Sequence, residues 1–126
     1  MLGIYFDEEH NNKLSEGDGS NPDITIVNGE TGGSEERKLF IWNDNAANKT
    51  YENVRITAEN SDADFKVEYA LDEGGAPGTF SSAITLPNGD FANSVPFWRK
   101  VTIAPQDDSI TRRDIKHKLT ADEFAK

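Results

Sequence analysis

The sequence predicts an all-β fold: a two-sheet sandwich of about seven strands with an extended N-terminal arm. Three observations predict it. Short runs rich in β-branched and aromatic residues alternate apolar and polar positions, as a strand half-buried against a second sheet must. Gly, Asn, Asp and Pro clusters separate the runs and supply the turns. No window of useful length carries helical spacing, except a final turn over residues 120–125.

The first predicted strand is residues 24–27, ended by Asn28-Gly29. The second is residues 38–42, where Leu39 and Ile41 take one face and Phe40 and Trp42 the other. Apolar residues on both faces mark a central strand, or one covered by the N-terminal arm. Residues 53–58 place Val54, Ile56 and Ala58 together, and residues 65–71 place Phe65, Val67, Tyr69 and Leu71 inward with Lys66 and Glu68 outward. Residues 72–78 read as a loop and residues 79–86 as a weaker strand. Residues 95–103 give the strongest pattern: Val95, Phe97, Val101 and Ile103 share a face that Arg99 interrupts, and Trp98 points the other way beside Lys100. Residues 111–120 close the set, with Ile115 and Leu119 inward.

Ahead of these lies an arm, residues 1–22, set apart from the domain at 23–126. Leu2, Ile4 and Phe6 have period-2 spacing and suit a short strand docking on this domain or on a neighbour. Residues 7–22 are acidic and rich in Gly, Ser and Asn, the composition of a long loop.

Charge and composition narrow the function classes. The 126 residues fit one domain and carry a formal net charge of -10, which opposes contact with phosphate backbones or an anionic membrane surface. Mean hydropathy is low at -0.69. The absence of cysteine removes disulfides and thiolate metal sites. Nothing approaches a membrane span or a signal peptide. Residues 1–36 hold nine acidic side chains against Lys13 alone, whereas residues 99–126 hold seven basic against five acidic. An acidic head and a basic tail can attract each other between neighbouring subunits.

Residues 39–44 (Leu-Phe-Ile-Trp-Asn-Asp), 53–58 (Asn-Val-Arg-Ile-Thr-Ala), 98–105 (Trp-Arg-Lys-Val-Thr-Ile-Ala-Pro) and 115–122 (Ile-Lys-His-Lys-Leu-Thr-Ala-Asp) resemble the immunoglobulin-like domains of bacterial surface proteins and tailed-bacteriophage structural proteins. The resemblance spans about residues 23–122, without the Cys…Trp…Cys core of antibody domains. The opening Gly-Ile-Tyr-Phe-Asp-Glu-Glu-His-Asn is similar to the starts of small phage virion proteins. The resemblance implies an immunoglobulin-like sandwich in a virion protein made in the host cytoplasm. Such proteins are present in many copies, or as homo-oligomers, and contact capsid, portal, neck or tail subunits. The charge and the residues present, rather than the resemblance, lead to the expectation of no catalysis, no cofactor and no nucleic-acid partner.

Few residues offer chemistry. His10 lies in the acidic stretch, and His117 lies between Lys116 and Lys118. A catalytic His requires an orienting carboxylate and a nucleophile. Asp114, three residues from His117, falls on the opposite strand face. Asp62 and Asp64 have the alternate spacing of calcium loops but lack the Gly and distal Glu of an EF-hand, so no metal site is assigned. Asp107-Asp108 suits a turn, and the sequon at Asn48 is read as chance. An outward Trp98 is either covered or used to bind.

The expected interface residues are Leu2, Ile4, Phe6, Trp98, Arg112 and Arg113. On this reading, deleting residues 1–22 leaves the sandwich folded but blocks assembly. The alternative is a carbohydrate-binding or adhesive module with Trp98 and Tyr51 as a stacking platform.

Overall fold

The computed structural model describes residues 1–14, 21–107 and 109–126. Among these the chain is all-β, without a helix, in ten strands: β1 Leu2–Tyr5, β2 Asp23–Asn28, β3 Gly33–Asn43, β4 Lys49–Ala58, β5 Phe65–Glu73, β6 Ala76–Pro77, β7 Ala83–Leu86, β8 Val95–Ile103, β9 Ile110–Ile115 and β10 His117–Ala125. All pairings between these strands are antiparallel. One sheet runs β1-β3-β8-β5-β6, a second β10-β4-β7, and β2 pairs with β9 as a two-stranded ribbon.

One apolar core joins the sheets. The five-stranded sheet contributes Leu2, Ile4, Leu39, Ile41, Phe97, Val101, Ile103, Phe65, Val67 and Tyr69; β4 and β7 contribute Tyr51, Val54, Ile56, Ile84 and Leu86. Each large apolar side chain taken from water stabilises the fold by roughly 1.5–3 kcal/mol, so this cluster dominates the driving force. Alternation along β5 and β8 follows the predicted faces, with one exception. Leu71 remains 40% exposed, at the point where β5 enters its hairpin with β6. That hairpin turns on Gly74 and Gly75, both at positive φ, as a two-residue turn between antiparallel strands requires.

Tyr51 joins the core face of β4 through a bulge. β10 advances from Thr120 to Asp122 while β4 retreats from Arg55 to Glu52. The extra β4 residue includes Asn53 at φ 53°, a conformation Asn tolerates better than most residues.

Besides Leu71, and the ten strands found where about seven were expected, four predicted features differ in the structure. The strand expected over residues 111–120 is two strands. Its inward residues Ile115 and Leu119 do face the core, but at Lys116 the chain leaves β2 and joins β4. Lys116 is held there by Asn60 Oδ1 on its N–H (3.1 Å) and Glu59 N–H on its carbonyl (2.8 Å). The helical turn expected over residues 120–125 is the second half of β10, since pairing with β4 overrides local propensity. Residues 72–78 contain the β5–β6 hairpin as well as a loop.

The largest difference is at the N-terminus. β1 pairs with β3 of its own chain, Leu2 opposite Asn43 through Tyr5 opposite Phe40. Leu2 and Ile4 are 6% and 7% exposed, so they are core residues rather than a reach toward a neighbour. The chain then folds back: Asp7 accepts the N–H groups of Asn11 (3.0 Å) and Asn12 (2.9 Å), and Leu14 donates to the Ile4 carbonyl (2.9 Å). The reading of residues 1–22 as a separate arm therefore does not hold over residues 1–14; residues 15–20 of it lie outside the described residues.

Candidate functional site

The interruption at Arg99 is the start of a buried constellation with acid–base character. Strand alternation puts Arg99 on the inner face of β8 with Phe97 and Val101, and its side chain is fully buried. Its direct neighbours across the sheet are Arg37 on β3 and Tyr69 on β5. A cation in that position demands a counter-charge. Asp23, the first residue of β2 and also fully buried, provides it. Arg99 Nε and Nη2 donate to the two oxygens of Asp23, each at 2.9 Å. This planar bidentate pairing is the strong form of the contact. Arg99 Nη2 also donates to Glu35 Oε1 (2.8 Å), whose other oxygen accepts from Thr25 Oγ1 (3.3 Å). Arg37 reaches Asp23 at 3.5 Å.

His117 extends the cluster from β10. Its Nε2 lies 2.8 Å from Asp23 Oδ2 and its Nδ1 2.6 Å from the Tyr69 hydroxyl. With the proton on Nε2, His117 donates to Asp23 and accepts from Tyr69. Burial alone would raise the Asp23 pKa. The hydrogen bonds from His117 and Arg99, with the Arg99 charge, outweigh it and bring the carboxyl down to about 2. Burial and the Asp23 charge push the Tyr69 phenol well above its ordinary value, so it stays protonated. The Arg99 pKa is raised: burial opposes the charge, but Asp23 and Glu35 outweigh burial.

Tyr69, His117 and Asp23 thus have the order of a nucleophile, a base and its orienting carboxylate. Tyr69 and Asp23 are 0% exposed and the His117 side chain 1%, so no substrate reaches them in this conformation. What the cluster does physically is tie β2, β3, β5, β8 and β10 together with charge-assisted bonds inside low dielectric.

The depressed Asp23 pKa makes stability depend on pH in acid. The group titrates near 3.8 unfolded and about 2 folded, so its contribution is complete above the unfolded value and is lost as pH falls from about 4 toward 2. The expected loss is about 2 kcal/mol. Urea unfolding at pH 5 and pH 2 measures it against Asp23→Asn, which lacks this acid slope. Parallel pH curves for the two proteins would contradict the assignment.

The outer face of the five-stranded sheet carries a half-buried aromatic strip. Phe40 stands opposite Pro96, and Trp98 lies between Lys38 and Ala70 on its two flanking strands. Trp98 Nε1 donates to Asp72 Oδ1 (2.8 Å) and Trp42 Nε1 to the Ala92 carbonyl (3.1 Å). Lys38 Nζ lies 5.8 Å from the Phe40 ring and 5.9 Å from Trp98; Lys100 Nζ lies 5.5 Å from Phe80. His10 stacks on Trp42 with ring centres 3.7 Å apart and planes within 4°, and Tyr5 meets Trp42 edge-on. The strip is covered in part by the N-terminal segment, one of the two arrangements that apolar residues on both faces of β3 implied.

The six residues expected at an interface do not come together. Leu2 and Ile4 are in the core. Phe6 is half-buried under Arg37, whose guanidinium carbon is 4.1 Å from the ring centre. Trp98 sits in the aromatic strip. Arg112 and Arg113 are exposed on β9 and line a groove of about 340 Å³ with Gln106, Ile110 and Thr111. Arg113 also lies 5.7 Å from the Phe65 ring. Tyr51 is buried on β4, its hydroxyl donating to Glu123 (2.7 Å), so it forms no platform with the outward-facing Trp98. Asp62 accepts the N–H groups of Asp64 (2.9 Å) and Phe65 (2.8 Å), a turn that starts β5. Asp108 lies outside the described residues.

Sequence reasoning missed Asp23, Glu35 and Tyr69 as partners of Arg99 and His117. The available signal was Arg99 itself, a charge inside an apolar alternation that must find an anion. No family model, curated protein or solved structure matches this chain.

Proposed function

We propose that this chain is a non-enzymatic structural domain of a tailed-phage particle, on the capsid, neck or tail, made in the host cytoplasm and assembled in many copies through protein–protein contacts. The finer fold in this reading is the immunoglobulin-like two-sheet sandwich, with which antiparallel sheets over one shared core are compatible. The observation that carries the reading is the division of residue types. The ionisable groups Asp23, Arg99 and His117 are buried and mutually paired, whereas Trp98, Phe40 and Trp42 stay half-exposed on one sheet face beside Lys38 and Lys100. Large aromatic rings left half-exposed on one sheet face are what contact surfaces use.

The test replaces that face without touching the core. A chain carrying Trp98→Ser and Lys100→Glu is expected to keep the wild-type circular dichroism spectrum. Its incorporation into particles should fall by about tenfold or more in competition with wild type. Incorporation at the wild-type level would remove the outer face from the proposal.

A further inference from the structure

We infer that β10 is a pairing edge for a second copy of this chain, joining two β10-β4-β7 sheets across a twofold axis at Thr120. This contact belongs to the multi-copy reading above but has its own test. Among the described residues the backbone of β10 pairs with β4 alone, and residues 120–125 are all exposed. The strand has nine residues and contains neither Pro nor Gly, so its open backbone is unbroken and only its charges and the bulge opposite it in β4 restrict edge pairing.

The ladder dictates which residues a partner can use. The Lys116 carbonyl accepts from Glu59 N–H (2.8 Å), and Lys126 N–H donates to the Asn48 carbonyl (2.9 Å). Backbone groups alternate sides along an antiparallel strand, and the bulge inserts its extra residue in β4. The even-numbered residues therefore face β4, and His117, Leu119, Ala121, Glu123 and Ala125 present their N–H and C=O to the open side. A twofold antiparallel partner must set odd residues opposite odd ones.

Charge then selects among the permitted registers. With Thr120 on the axis, Lys118 faces Asp122, and symmetry repeats the pair. With Ala121 on the axis, Lys118 faces Phe124 instead. With Asp122 on the axis, like charges oppose: Asp122 faces its copy and Lys118 faces Lys126. Cross-strand opposite charges stabilise and like charges destabilise. The carboxylates are already held in place, Asp122 by Asn53 Nδ2 (2.8 Å) and Glu123 by the Tyr51 hydroxyl (2.7 Å). The same charges that discourage indiscriminate edge pairing thus complement a second β10.

Sedimentation velocity of the full chain, from about 1 μM to about 1 mM at low salt, measures the contact. A monomer–dimer equilibrium in that range is expected. Ala121→Pro removes an N–H on the open side only, and should abolish the dimer while keeping the fold by circular dichroism. Lys118→Asp sets an acid against Asp122 in each of the two symmetric pairs and should weaken dimerisation about tenfold; adding Asp122→Lys should restore it. A wild-type chain that stays monomeric throughout overturns the inference, even if the chain is found in particles. A dimer indifferent to Ala121→Pro and to the charge swap overturns it as well. A dimer sensitive to both supports it, even if particles lack the chain.

Discussion

Arg99→Met is expected to lower the unfolding free energy by about 3–5 kcal/mol, measured by urea titration at pH 7. The substitution keeps the apolar stem of the side chain and removes the guanidinium. Asp23, fully buried, is then left with His117 and a distant Arg37, and Glu35 loses its charged donor. The cost comes chiefly from the carboxylate stranded in low dielectric. Replacing both partners, Arg99→Met with Asp23→Leu, should therefore recover much of the loss, since exchanging a buried ion pair for apolar residues is often near neutral. A single substitution costing under about 1 kcal/mol, the range of exposed pairs, would show that the cluster is not the enclosed, mutually dependent set its distances describe.

Deleting residues 1–6 is expected to leave the chain largely unfolded at 25 °C. The deletion removes Leu2, Ile4 and Tyr5 from the core and uncovers the whole edge of β3 from Phe40 to Asn43. Truncating a single buried Leu or Ile costs about 2–5 kcal/mol, and the entire stability of a domain is only about 5–15 kcal/mol. Ile4→Ala, a milder form of the same change, should cost about 2–5 kcal/mol. A chain without residues 1–22 that melted like the intact one would restore the separate arm read from composition. Because this deletion reports on folding, it cannot serve as the assembly test that the sequence suggested, and outer-face substitutions replace it.

Residues 65–69 and 95–103 show why much of the fold was legible. Each alternates for several residues, so faces follow from period alone, and even Arg99 was correctly placed inward by that period. The β9–β10 junction was not legible. Ile115 and Leu119 keep the same alternation through Lys116, and a change of hydrogen-bonding partner leaves no mark on it. The end of β10 was misread because Thr-Ala-Asp-Glu-Phe-Ala has no apolar alternation to oppose a helical turn. The polar cluster was half legible. His117 was set aside because Asp114 could not reach it, while its actual partners, Tyr69 and Asp23, lie 48 and 94 positions away. Asp23 looked like the boundary of an acidic arm, and only the β2–β9 pairing carries it beneath Arg99.

In the proposed function the outer surfaces of this domain, rather than its buried Asp23–Arg99–His117 cluster, do its work, as a repeated part of a particle. Quantitative mass spectrometry of purified particles from the source culture tests this most directly. The chain is expected in fixed, multi-copy ratio to the major capsid or tail subunit through successive density gradients. Recovery of the chain only in the soluble fraction, with none sedimenting with particles, would contradict it.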